Sequence, residues 1–428
     1  MRAALLVALL FLYLMTPRLE WTPARGLQRV APSVLSGDEP HYMMVVNSIL
    51  FDHDLRLEDD YGRVREGGAQ AGLGFRGNEL DHHTILVDRR TGAHGLWQDV
   101  YDWHTHVRCR WPCVPFRKVL PGFDPGPDVI EVSAHPIGFP ALLALLIAPF
   151  RPTLETSESY AFTAIAVLAW LAVVATYFAG KRAGFTPNEA LMAALLAGIA
   201  SPLLAYGRSM FCEGTAALFL TLAYWALLAG RPALAGAACV AAAVLKPPFG
   251  LVALGWAALR WRQGRKREAI RLSTAAAAGG AALMLFNYAI ARTPVISGTA
   301  GFIPASGPEA IGVHFFSNTH GLFAFVPWAA VAMFALPLEM VSGAAPVLFL
   351  VVAADLGPVG YCYGPRYLVP FIPWLALAMV PIWRRGSPRA RVGMAALAAL
   401  GLLIAVPGAV RYREMWDQPS LAALWFSR

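Results

Sequence analysis

Within Ser36-Gly37-Asp38-Glu39-Pro40-His41-Tyr42 the chain sets two adjacent carboxylates, a histidine and a tyrosine. A carboxylate held about 3 Å from a hydroxyl can take its proton during group transfer. The same residues also suit a plain helix start, with Ser36 or Asp38 as N-cap and Pro40 in the first turn. Further along, ionisable residues interrupt apolar stretches: Arg208, Glu213, Lys246 before Pro247-Pro248, and Arg366 in Gly364-Pro365-Arg366-Tyr367. Such residues are costly inside a membrane and are usually functional or paired. Arginine forks match phosphate oxygens and lysine supplies a point charge, so Arg366, Arg208 and Lys246 are candidate phosphate binders. Each has a plainer reading. Glu213 can serve a helix dipole, Arg366 can anchor a span at the headgroups, and Lys246 can snorkel.

The elements that must position these residues are membrane helices. Apolar residues make up 57% of the 428 and charged residues 14%, against about 25% charged in soluble domains. The expected fold is an all-α polytopic membrane protein, and the net charge of +8 is read as topology before nucleic-acid binding. An apolar run, residues 3–15, follows Arg2. It is short for a span and has signal-peptide proportions, yet Thr16-Pro17-Arg18 is a poor cleavage site, which favours an uncleaved first helix over 1–16. Residues 17–137 hold 17 of the 27 acidic residues and read as one large extracytoplasmic loop. Its segment Tyr42–Leu50 reads as an amphipathic interfacial helix, residues 52–127 as an irregular loop or lid, and 137–150 as a short juxtamembrane helix.

The positive-inside rule orders the spans that follow. They are 160–180, 189–206, 214–229, a pair within 233–259, 272–291, 321–338, 344–360, 368–383 and 392–410. The pair is expected because both ends of 233–259 carry arginines that favour the cytoplasm, while Lys246-Pro247-Pro248 breaks the middle. The total is about eleven spans, 138–410 forming the membrane domain and 411–428 an extracytoplasmic tail. The basic run Arg260–Arg271 reads as a cytoplasmic, lipid-facing cluster. No internal repeat of the kind found in many transporters is visible.

The loop carries further chemistry. His82-His83 and Asp102-Trp103-His104-Thr105-His106 invite a divalent metal ion. Scattered loop histidines are the commoner case, since zinc needs three or four convergent ligands. With Trp97, Tyr101 and Trp111 the same residues suit a sugar- or acceptor-binding lid. Cys109 and Cys113 are close enough in sequence for a local disulfide.

Gly37-Asp38-Glu39, His135-Pro136, Glu213-Gly214-Thr215-Ala216 and Gly364-Pro365-Arg366-Tyr367-Leu368-Val369-Pro370 together resemble the GT-C glycosyltransferases. These membrane enzymes use polyprenyl-phosphate-linked sugars and include protein mannosyltransferases and aminoarabinose transferases. The motifs are short, and the resemblance implies a superfamily and no particular sugar. It implies Asp38 as general base, Glu39 as its neighbour or a metal or substrate ligand, and an inverting single displacement. Arg366, Arg208 and Lys246 would hold the donor phosphate, and His41, Tyr42, Glu213, His135 and Tyr363 would line the substrate. The implied partners are a polyprenyl-phosphate sugar donor, a lipid, glycan or protein acceptor, and membrane lipid. A bacterial inner membrane, with the site facing outward, is the implied location. A lipid-linked oligosaccharide ligase, a transporter and a non-catalytic envelope-assembly protein stay open as alternatives.

Overall fold

The computed structural model describes residues 2–22, 24–34, 38–57, 60, 84–92, 94–99, 117–119, 128–133, 135–292, 310–353 and 363–411. The chain divides into two compact units, one of Met1–Pro32, Phe162–Gly280 and Phe302–Arg428, the other of Ser33–Ala161 and Ala281–Gly301.

The first unit is helical. The apolar run after Arg2 forms a helix, Arg2–Met15, that packs into the unit. Tyr13 donates its buried hydroxyl to the Gly198 carbonyl at 2.8 Å, and Trp170 donates to the Leu6 carbonyl at 2.8 Å. A short antiparallel hairpin follows, β1 (Leu19–Thr22) paired with β2 (Gly26–Arg29). The break expected at Lys246-Pro247-Pro248 is present: helix Pro232–Leu245 stops, a 3-10 turn covers Pro247–Gly250, and helix Leu251–Arg262 begins. A residue before proline is pushed out of the helical region, and Lys246 is extended at φ −156°, ψ 111°.

Proline overturns one expected span. Residues 321–338 do not make a continuous helix. They form the turns Leu322–Phe325 and Ala329–Ala332, and Ala329–Ala335 meets the next helix at a bend of 119°. Pro337 opens that next helix, Leu338–Ala353, and the missing proline N–H and ring clash account for the break. The centre of the unit is aromatic. Trp256 and Trp374 stack at 5.6 Å with Tyr224 against both, and Trp256 donates to the Glu339 carbonyl at 2.6 Å.

Among the described residues, four helices are long and apolar enough to cross a membrane: Leu154–Arg182, Lys266–Ala291, Arg366–Arg385 and Pro388–Val410. The bent pair brings the number to five, and shorter apolar helices such as Pro187–Ile199 and Glu213–Leu228 accompany them. The chain is a polytopic membrane protein. Several of the eleven spans expected from hydropathy correspond to helices shorter than the ~20 residues a full crossing takes.

The second unit adds strands, three of them inside the 52–127 segment expected to be irregular loop. β3 (Thr84–Asp88), β4 (His94–Asp99), β5 (Arg117–Val119) and β6 (Val129–Ser133) form an antiparallel sheet in the order β5-β4-β3-β6. Val87, Ile130 and Val132 bury one face against Ile290 and Ala291. The helix Glu39–Asn47 also departs from expectation. All nine of its residues are buried, so it is a core helix and not an amphipathic one lying at the interface.

Candidate active-site residues

In the second unit the acidic dyad splits by one helical step. Asp38 holds the N-cap position of Glu39–Asn47 with helical φ −75° and ψ −18°, and its side chain makes no capping hydrogen bond. The plain capping role is therefore not taken. Its Oδ1 lies 3.8 Å from His135 Nε2, and the two side chains keep 15% and 17% of their surface exposed. Glu39 is fully buried.

Local sequence fixes His135. β6 ends at Ser133, whose hydroxyl accepts the His135 N–H at 3.0 Å; Pro136 follows, and helix Gly138–Ile147 begins. The Tyr42 ring lies 5.3 Å from the His135 ring and edge-on to Phe139 at 5.6 Å. The His41 ring is 6.0 Å from that of His135. His41 and Tyr42 are themselves buried. The helix is anchored at its far end, where Ser157 donates to Asn47 Oδ1 at 3.0 Å.

In the first unit three residues distant in sequence converge. Glu213 opens helix Glu213–Leu228 and is fully buried. Its Oε1 accepts from Lys246 Nζ at 2.6 Å and from Arg366 Nε at 2.9 Å. Lys246 arrives from the proline break and Arg366 from the 3-10 turn Arg366–Phe371. That turn starts after Gly364 at φ +64°, a left-handed conformation at which a side chain would be strained, with the Phe325 ring 3.1 Å from where a Cβ would stand. Aromatic faces complete the cluster. Lys246 lies 4.2 Å from the Tyr367 ring centre, and the Arg366 guanidinium lies 4.1 Å from that of Phe211. Both are distances at which a cation is attracted by a ring face. Sequence reading selected the three charged residues and missed the two rings, although Tyr367 stands beside Arg366 in the same motif.

The element that carries Arg366 also lines an apolar cavity. Leu368, Phe371, Trp374 and Leu375 form one wall, and Phe315, Met340 and Leu348 are among the residues facing them. Its empty volume is about 440 Å³ counting the open mouth. Phe371 also touches Phe249, just past the Lys246 break, at 6.4 Å.

Two expected site residues lie elsewhere. Arg208 donates to Glu20 Oε2 at 2.6 Å, to the Leu19 carbonyl at 2.8 Å and to the Ala409 carbonyl at 2.6 Å. It is a buried brace between β1 and the end of helix Pro388–Val410. Tyr363 donates its hydroxyl to the Ile404 carbonyl at 2.9 Å and presses its ring on Phe325 at 5.1 Å. Gly408 leaves it room, since a Cβ there would stand 2.0 Å from the hydroxyl. Tyr363 is thus held by packing contacts. His82, His83, Asp102, His104, His106, Tyr101, Trp103, Trp111, Cys109 and Cys113 lie outside the described residues, as does the Trp97 side chain. Among the described residues no three His, Cys, Asp or Glu side chains are grouped to hold a metal ion.

Neither a protein-family model nor a curated protein matches the sequence. The fold is similar to the apo crystal structure of ArnT from Cupriavidus metallidurans, at 14% identity and a TM-score of 0.51, over 99% of this chain and 73% of that one. At that identity the likeness speaks for the fold.

Proposed function

We propose that this chain is a membrane glycosyltransferase that moves a sugar from a polyprenyl-phosphate carrier to an acceptor hydroxyl outside the cytoplasm. The observation that carries the reading is in the first unit, where Arg366, joined to Lys246 through Glu213, and an apolar cavity lie along one element. Arg366 sits at its start, and Leu368, Phe371, Trp374 and Leu375 follow along the cavity wall. A donor with an anionic head and a long apolar tail has the matching chemistry. The fold likeness to ArnT, an aminoarabinose transferase of the GT-C class, supports the same reading, and a bacterial inner membrane is the location it suggests.

The roles follow from the chemistry of each group. Asp38, partly exposed and not engaged as a cap, takes the proton of the acceptor hydroxyl as its oxygen attacks the anomeric carbon. The bond from that carbon to the phosphate oxygen breaks, and the electron pair leaves with the carrier phosphate. Within the first unit, Lys246 and Arg366 are the groups whose charge suits a carrier phosphate. A single displacement of this kind inverts the anomeric centre. The test is transfer by purified protein in lipid nanodiscs, using a polyprenyl-phosphate sugar and following release of polyprenyl phosphate. Transfer by the wild type and its loss in Asp38→Asn, with the fold intact, is the expected result. Absence of any transfer with a panel of such donors would sink the reading.

A further inference from the structure

Ser157 and Glu158 have no part in the roles assigned above, yet both are buried polar residues near the start of helix Leu154–Arg182. Ser157 donates to Asn47 Oδ1 at 3.0 Å, and the Glu158 carboxylate accepts the Val34 N–H. Asn47 closes helix Glu39–Asn47, Asp38 stands at the N-cap of that helix, and Val34 lies four residues before it. All of these residues belong to the second unit. Two neighbouring residues of one long helix therefore hold the chain on both sides of Asp38.

Apolar packing alone does not account for this grip. Met43, Met44, Val45 and Val46 are buried already, and such burial is non-directional. Among the described residues the Val34 N–H is the hydrogen-bond partner of Glu158. Burying a carboxylate against one donor costs more than packing an apolar side chain in its place. What the two polar residues add is register: they fix how far helix Glu39–Asn47 sits along helix Leu154–Arg182 and how it is turned. Asp38 is close to both grips. The four residues from Val34 reach no further than about 14 Å, and the nine residues of the helix span about 14 Å.

We propose that Ser157 and Glu158 are positioning residues that set the place and orientation of Asp38 for proton transfer. The inference rests on the transferase reading above. Both residues act through the backbone that carries Asp38. A displacement of about 1 Å at a reacting group can lower a rate about 100-fold, so a base needs a rigid frame. Helix Leu154–Arg182, long and apolar enough to cross a membrane, supplies one.

The experiment compares Glu158→Leu, Glu158→Gln and Ser157→Ala with wild type in lipid nanodiscs. In Glu158→Leu the kcat of folded protein should fall about 10- to 100-fold at unchanged donor KM. Glu158→Gln keeps an oxygen that accepts the Val34 N–H and should stay within about twofold of wild type. A purely structural role would lower the unfolding temperature of Glu158→Leu and leave kcat of the folded fraction alone. That result, a raised KM in place of a lowered kcat, or a Glu158→Gln as impaired as Glu158→Leu would overturn the proposal. Should Glu158→Leu not fold, Ser157→Ala removes one oxygen at the other grip, and an unchanged kcat there overturns it equally. Hydrogen exchange reads the grip without turnover. Amides of Glu39–Asn47 should lose protection in Glu158→Leu and regain it in Glu158→Gln. Unchanged exchange overturns the proposal whether or not any donor is used, whereas the expected exchange with no transfer by wild type fails the transferase reading alone.

Discussion

Two carboxylates in this molecule keep basic company in opposite ways. Asp38 stands 3.8 Å from His135 with both side chains partly exposed. Glu213 is fully buried, with Lys246 and Arg366 at 2.6 and 2.9 Å. The first pair stands apart by more than a hydrogen bond, at an edge where both side chains keep some surface. The second is fixed charge, in which burial strengthens every interaction and leaves nothing to move. Two carboxylates thus sit in opposite settings, one loosely placed beside a partly exposed histidine and one buried against two cations.

The largest effect expected from breaking this contrast is at the loose carboxylate. Asp38→Asn keeps the shape, removes the base, and should lower transfer by about 10²- to 10⁴-fold with little change in thermal stability. A comparable loss in Glu39→Gln with Asp38→Asn active would reverse the assignment within the dyad. The brace comes next. Arg208→Met removes the guanidinium from buried Glu20 and should cost about 3–5 kcal/mol of stability, as breaking buried pairs does, read as a lower unfolding temperature in detergent. Donor KM should hold; a raised KM at unchanged stability would return Arg208 to the phosphate role the sequence suggested. At the fixed cluster, Arg366→Lys keeps the charge but loses the planar fork, and a roughly tenfold loss in kcat/KM is expected. The smallest effect should come from His135→Asn, a loss of about threefold in rate, since His135 only neighbours the base. A loss there as deep as that of Asp38→Asn would mean that the two act as one unit.

What the sequence revealed, and what it hid, follows the range of the interaction. The break at Lys246 was legible because its cause is covalent and adjacent, two prolines after one lysine. The same logic applied to Pro337 and was not used, since hydropathy alone made 321–338 look like one span. The sheet was hidden by shortness. Thr84-Ile85-Leu86-Val87 and Val129-Ile130-Glu131-Val132 carry β-branched runs, but β3 to β5 are only three to six residues each. The site was half legible. Residue type marked Glu213, Lys246 and Arg366 as expensive, and the fold brings those three together. Type marked Arg208 equally well, yet nothing near it in the sequence announces Glu20, 188 residues away. The exposure of Asp38 against the burial of Glu39 is likewise a matter of which way a helix turns, which two neighbouring acidic letters do not encode.

The Arg208 brace also sets a schedule. Its guanidinium needs Leu19 and Glu20, made early, and Ala409, made 201 residues after it. At about 5–20 residues per second, a ribosome takes roughly 10–40 seconds to bridge that gap. Through that interval the Ala409 carbonyl is missing from the set, and the β1 hairpin waits for a clasp not yet synthesised. The first unit therefore closes on its own beginning late, when helix Pro388–Val410 arrives, and a stall before that point would leave a buried ion pair assembled on one side only.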